Sequence, residues 1–251
     1  MIRWAVATTL LFGCLAGCSA GGDAQAAPPE VGQCRYLQEQ TLAELSNDAA
    51  VVACADPHTA QTMSVGSIPD SFTQRDDPAL DRWLYQECNE QFEEWTGADA
   101  SRAMRSVLTW AWWRPTGSAW SDGDRTYRCD LVGQTSPLTE LPARTRGLLS
   151  LPETDEWMIC ARGANLDDQA VRVACSNPHD WRAVTTIKVG EPGDPYPGDR
   201  SVARLTRQYC SASVSAWLGY PVGYDLGYTW YGQNQWQAGN RRSVCWARTS
   251  E

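Results

Sequence analysis

The apolar positions of this chain fall into short blocks divided by Gly-, Pro- and Asp-rich joints, and the blocks recur. After Asp77 and Pro78, the residues Leu80, Leu84, Cys88, Phe92 and Trp95 repeat at helical spacing, which predicts a helix that buries one face. Asp77 suits the N-cap, Pro78 the first helical position, and Gly97 the left-handed position just past the end. A second stripe of this kind, Val202, Leu205, Tyr209, Val214 and Trp217, runs to Gly219. Short apolar blocks at Val31 to Leu37, Ala50 to Cys54, Glu156 to Ala161 and Gln169 to Cys175 predict strands. Aromatic strands are predicted over Ser106 to Trp113 and Leu226 to Tyr231, each leading through a Gly-containing turn to a last strand. The pattern is α+β, twice.

Three segments repeat in order, with their internal spacing kept. Val51-Val52-Ala53-Cys54-Ala55-Asp56-Pro57-His58 returns as Val171-Arg172-Val173-Ala174-Cys175-Ser176-Asn177-Pro178-His179. Cys88, Trp95 and Gly97 return as Cys210, Trp217 and Gly219. Trp120 with Gly123-Asp124-Arg125 and Cys129 returns as Trp236 with Gly239-Asn240-Arg241 and Cys245. This is a tandem duplication. The organisation it predicts is a signal peptide at 1–17, a tether at 18–30, a first domain at 31–133, a linker at 134–155 and a second domain at 156–251.

The cysteines and the N-terminus set the compartment. Arg3 and the apolar run Trp4 to Gly17 form an export signal too short to span a bilayer comfortably. The run closes on Leu15-Ala16-Gly17-Cys18, a bacterial lipobox pattern, so Cys18 is the expected site of lipidation (diacylglycerol and palmitate). The expected location is the extracytoplasmic face of the cell membrane. Eight cysteines remain in the mature chain, and an even number in an oxidising compartment predicts disulfides. Eight cysteines allow 105 pairings, and confining bonds within each copy leaves nine. The expected set is Cys34–Cys54 and Cys88–Cys129, then Cys160–Cys175 and Cys210–Cys245. In each copy the first bond joins two consecutive short strands and the second fastens helix to last strand.

A net charge of -9 argues against nucleic-acid binding, which needs a basic face, and Lys188 is the only lysine. The two histidines, His58 and His179, sit at equivalent positions beside Cys54 and Cys175. They read first as turn residues that hydrogen-bond at a strand end, and second as candidate partner contacts. A zinc reading of Cys54 with His58 and Cys175 with His179 needs free thiolates, which paired cysteines do not offer. No catalytic set, metal site or cofactor is expected. Arg125 and Arg241 are expected over tryptophan rings.

The 13 tryptophans are the strongest pointer to contact chemistry. In a strand, Trp110 and Trp112 face one way and Trp113 the other. With one helix per sheet, only one face is naturally buried, so the other must pack on the other copy, meet a partner or offer rings for stacking on sugar. The expectation is that Trp113 is core and that at least one of Trp110 and Trp112 is partly exposed to a partner.

Several of these motifs together resemble the septum-formation domain family of actinobacterial envelope proteins. The likeness rests on Gly32-Gln33-Cys34, on Cys54-Ala55-Asp56-Pro57-His58, and on Trp113-Arg114-Pro115-Thr116 leading to Trp120 and Gly123-Asp124-Arg125. Copy two keeps the Cys-x-x-Pro-His and Trp-x-x-Gly-Asn-Arg elements and lacks Arg-Pro-Thr. The resemblance implies a cell-division context and no particular activity. The expected architecture is two tandem small domains, each a short antiparallel sheet against one main helix, stapled by two disulfides. The expected function is a noncatalytic lipoprotein that contacts other envelope or division proteins. The alternative is a module that binds cell-wall glycan through exposed tryptophans.

Overall fold

The computed structural model describes residues 28–167, 169–191 and 193–249. Cys18 and the signal segment lie outside the described residues. The chain builds two antiparallel five-stranded sheets. The first copy contains β1 (Cys34–Arg35), β2 (Val51–Val52), β3 (Ala60–Ser67), α1 (Pro78–Thr96), α2 (Ala100–Met104), β4 (Leu108–Trp113), α3 (Gly117–Ser121) and β5 (Thr126–Gly133). The second contains β6 (Ile159–Arg162), β7 (Val171–Ala174), β8 (Trp181–Lys188), α4 (Asp199–Trp217), β9 (Leu226–Trp230), α5 (Gln233–Gln237) and β10 (Arg242–Arg248). The strand orders, β2-β1-β3-β5-β4 and β7-β6-β8-β10-β9, are the same topology.

The α1 stripe behaves as its spacing predicts. Asp77 accepts from the Ala79 N–H, and Gly97 closes the helix at φ 72°. Leu80, Leu84, Cys88 and Phe92 are wholly buried. Among the described residues four disulfides form, Cys34–Cys54, Cys88–Cys129, Cys160–Cys175 and Cys210–Cys245, with Cα separations of 4.9–5.5 Å. Each copy therefore ties its helix to its last strand across the core.

The central strands β3 and β8 lie outside the sequence expectation. A central strand buried on both faces shows no alternation, and Ala60-Gln61-Thr62 are small or polar yet buried. The segment read as a linker is packed against copy one. Leu149 is wholly buried, Trp95 Nε1 donates to Thr145 Oγ1 at 2.8 Å, and the Leu141 N–H donates to the His58 carbonyl at 2.9 Å.

The sheet faces turned away from the main helices are covered differently in the two copies. In copy one, residues 36–49, which include a short 3₁₀ turn at Glu39–Ala43, lay Leu37, Leu42 and Ala49 against Ala60, Trp113 and Val132. In copy two the same face carries Ala161, Trp181, Ala183, Val244 and Trp246, which belong to one buried cluster with copy-one residues such as Val107 and Leu108. There α2 touches β8. The Val107 N–H donates to the Trp157 carbonyl at 3.0 Å and the Ile159 N–H to the Arg105 carbonyl at 2.8 Å. The second copy is docked on the first through its own sheet.

Candidate functional site

Between the two copies lies a cleft of about 640 Å³, with walls drawn from both. Copy one supplies Tyr85 from α1 and Trp110 and Trp112 from the edge strand β4. Copy two supplies Lys188, Tyr231 and Asn240. Tyr85 stands edge-on to both indoles, with ring centroids 5.5 Å from Trp110 and 6.2 Å from Trp112. Phe92, wholly buried beneath, meets Trp110 at 5.4 Å. The rings are thus fixed from below and half-buried from above. The Trp110 Nε1 is buried without a hydrogen-bond partner among the described residues.

The polar groups around these rings are amides and charged side chains. Gln86, Asn89, Gln134 and Gln235 line the cleft, and Asn240 Nδ2 donates to the Tyr85 hydroxyl at 3.4 Å across the copies. Burial, with Tyr231 beside it, pushes the Tyr85 hydroxyl up to about 12, with Asn240 acting the other way. Tyr85 therefore keeps its proton and can donate to a ligand oxygen across the physiological range. The charged rim is largely engaged: Lys188 pairs with Glu191, and Arg241 lies over the Trp236 ring at 4.2 Å. Arg125 covers Trp120 in the same way at 3.9 Å.

The face assignment of the tryptophan strand is the reverse of the sequence argument. Trp110 and Trp112 lie on the helix side, and the buried Trp113 lies on the far side. Residues 36–49 cover Trp113 on that far face without an α-helix, whereas Trp110 and Trp112 stay half-buried beside α1. Trp113 Nε1 donates to Asp130 Oδ2 at 2.8 Å, so it is fastened as well as buried.

The histidines do not reach a surface. His58 and His179 are 1% and 5% exposed. Each places Nδ1 2.8 Å from the carbonyl two residues earlier, Asp56 or Asn177. A carbonyl only accepts, so Nδ1 carries the hydrogen and the ring fastens its own turn. As partner contacts, His58 and His179 are thereby corrected to turn residues. Cys54 and Cys175 are both oxidised and offer no thiolate.

The pair of sheets, the repeated Cys-x-x-Pro-His turns and the repeated Arg-over-Trp hairpins account for one family pattern used twice. A model of the family described as septum formation matches residues 16–114 and again 106–245. The chain belongs to this septum formation family. Membership points to a role in cell division or the cell envelope. No curated protein and no solved structure matches the chain. Among the described residues no helix is long and apolar enough to cross a membrane.

Sequence reasoning found Trp110 and Trp112 but missed Tyr85, Gln86, Lys188, Tyr231 and Asn240. Lys188 carried a signal as the only lysine, and Asn240 as part of the repeated hairpin. Tyr85 and Tyr231 carried none, because their meeting with the indoles depends on how the copies dock.

Proposed function

We propose that this septum formation protein is a noncatalytic envelope lipoprotein that binds through the cleft between its copies, and that the ligand is wall glycan. The observation carrying this reading is the floor of Tyr85, Trp110 and Trp112, three rings backed by core, with five amide side chains around them. Aromatic faces stack on the C–H faces of a pyranose, and amides and a protonated phenol exchange hydrogen bonds with its hydroxyls. The volume is that of a small-ligand site.

Trp112→Ala is expected to weaken sedimentation with purified wall by about tenfold or more, since binding energy concentrates in such anchors. The same change should lower the melting temperature less than Trp113→Ala does. Capture that survives Trp112→Ala unchanged defeats the reading. A protein partner is favoured by a separate feature, the exposed rings of Tyr209, Trp217 and Tyr220 on copy two, which are 48%, 49% and 75% accessible. Crosslinking in intact cells that maps to these residues, with no loss in Trp112→Ala, selects that reading instead.

The anchor is tested separately. Cys18→Ser is expected to move the protein out of the membrane fraction or to leave its precursor uncleaved. Normal processing with continued membrane retention refutes a lipid at Cys18.

A further inference from the structure

On the far side of the first sheet, away from the glycan cleft, lies a second cavity of about 880 Å³. Its lining includes Arg35, Asn47, Trp113, Arg114 and Arg128, and the three arginines are only 3–6% exposed. In a chain of net charge -9 this is an unusual concentration of buried cations.

The charges do not cancel. Arg114 is compensated by Asp81. Arg128 Nε donates to Asp130 Oδ2 at 2.9 Å, and Asp130 is wholly buried. Asp130 also accepts from Thr62 Oγ1 at 2.8 Å and Trp113 Nε1 at 2.8 Å, so its lone pairs are largely used. Arg35 has no carboxylate partner among the described residues. It donates to the Ala49 carbonyl at 3.2 Å, to Thr62 Oγ1 at 2.8 Å and to Gln33 Oε1 at 2.7 Å, all neutral. Burial, and then Arg128, lower the Arg35 guanidinium from its ordinary value, and Asp130 opposes them. Arginine nonetheless keeps its proton in proteins, so the excess positive charge stays. Arg114 adds a buried Nε without a partner among the described residues.

The fold does not require this arrangement, and copy two shows it. By strand register the counterparts of Arg35, Thr62, Arg128 and Asp130 are Ala161, Ala183, Val244 and Trp246. These four positions carry no charge there, and the arginines on that face, Arg172 and Arg248, are exposed and lie over the Trp246 and Trp181 rings. Even the indole has changed strands: Trp113 on β4 donates to Asp130 on β5, whereas Trp246 on β10 donates to Thr229 on β9 at 3.1 Å. A buried cation costs free energy unless a counter-charge meets it. Copy one has kept such a cation beside a cavity.

We propose that this cavity is an oxyanion-binding site, taking a carboxylate or phosphate group of a ligand on Arg35 and Arg128. Guanidinium forks match both groups, and Arg35 and Arg128 each have N–H bonds left over. The acidic side chains lining the cavity, Asp48 and Asp124, are exposed and form no ion pair with the arginines.

The test is thermal unfolding of the full-length protein in detergent, in chloride, acetate or inorganic phosphate at matched ionic strength. A binding anion stabilises by mass action, so about 100 mM of an oxyanion held at about 10 mM affinity should raise melting by roughly 3–6 °C above chloride. Phosphate and acetate arms separate the two chemistries. Arg35→Met should abolish the increment. Should that variant fail to fold, Ala50→Glu on the exposed cavity rim supplies an internal carboxylate and should erase the increment too. No increment from either anion, or an increment unchanged in the folded variants, overturns the proposal.

Discussion

Asp130→Ala is expected to cost about 3–5 kcal/mol, the range for removing one member of a buried ion pair. The change strips the acceptor from Arg128, Thr62 and Trp113 at once and leaves two buried guanidiniums with no carboxylate between them. The double change Asp130→Ala with Arg128→Met should recover part of the loss, because deleting a whole buried pair is far less harmful than halving it. Urea unfolding measures both. A loss below about 1 kcal/mol for Asp130→Ala would mean that water already reaches these groups and that the network is not buried in solution.

Trp246→Ala should be comparably damaging, at about 3–5 kcal/mol. Its ring is wholly buried on the face that docks on copy one, beside Ala183 and Val244. The deletion leaves a cavity in a shared core, so unfolding should shift as one transition for both copies. Trp230→Ala serves as the contrast, since that ring is 37% exposed and should cost much less. Two separated transitions in the wild-type protein would show that the docked face contributes little.

Much of the fold was legible because the chemistry announces itself locally. The α1 stripe, its Asp77 and Pro78 start, and the Gly97 stop are positional signals, and the duplication narrowed the cysteine pairings to nine, among which the placement of cysteines on strands and helix chose. β3 was hidden because its first four residues are buried on both faces and lose their alternation, and Gln61 is buried as a hydrogen-bond partner of Thr145, which no periodicity reports. The cover over Trp113 was hidden for another reason: residues 36–49 are irregular, and Leu37, Leu42 and Leu45 follow neither a helical nor a strand period. The cleft was half legible, since Trp110 and Trp112 stand out by composition while Lys188 and Asn240 join them only through docking. The oxyanion cavity depended on a comparison between copies, Asp130 against Trp246, that becomes meaningful only once strand register aligns them.

The unequal covering of the two sheets also bears on how the chain comes into being. Synthesis proceeds from the N-terminus, and N-terminal domains generally fold first. Copy one's lid, residues 36–49, precedes the strands it covers, so that copy can close before the second exists. The adhesive face of copy two, with Trp246 near its end, is completed last and meets a surface already waiting. Reversing the order of the copies would present the unprotected face first, with nothing to receive it.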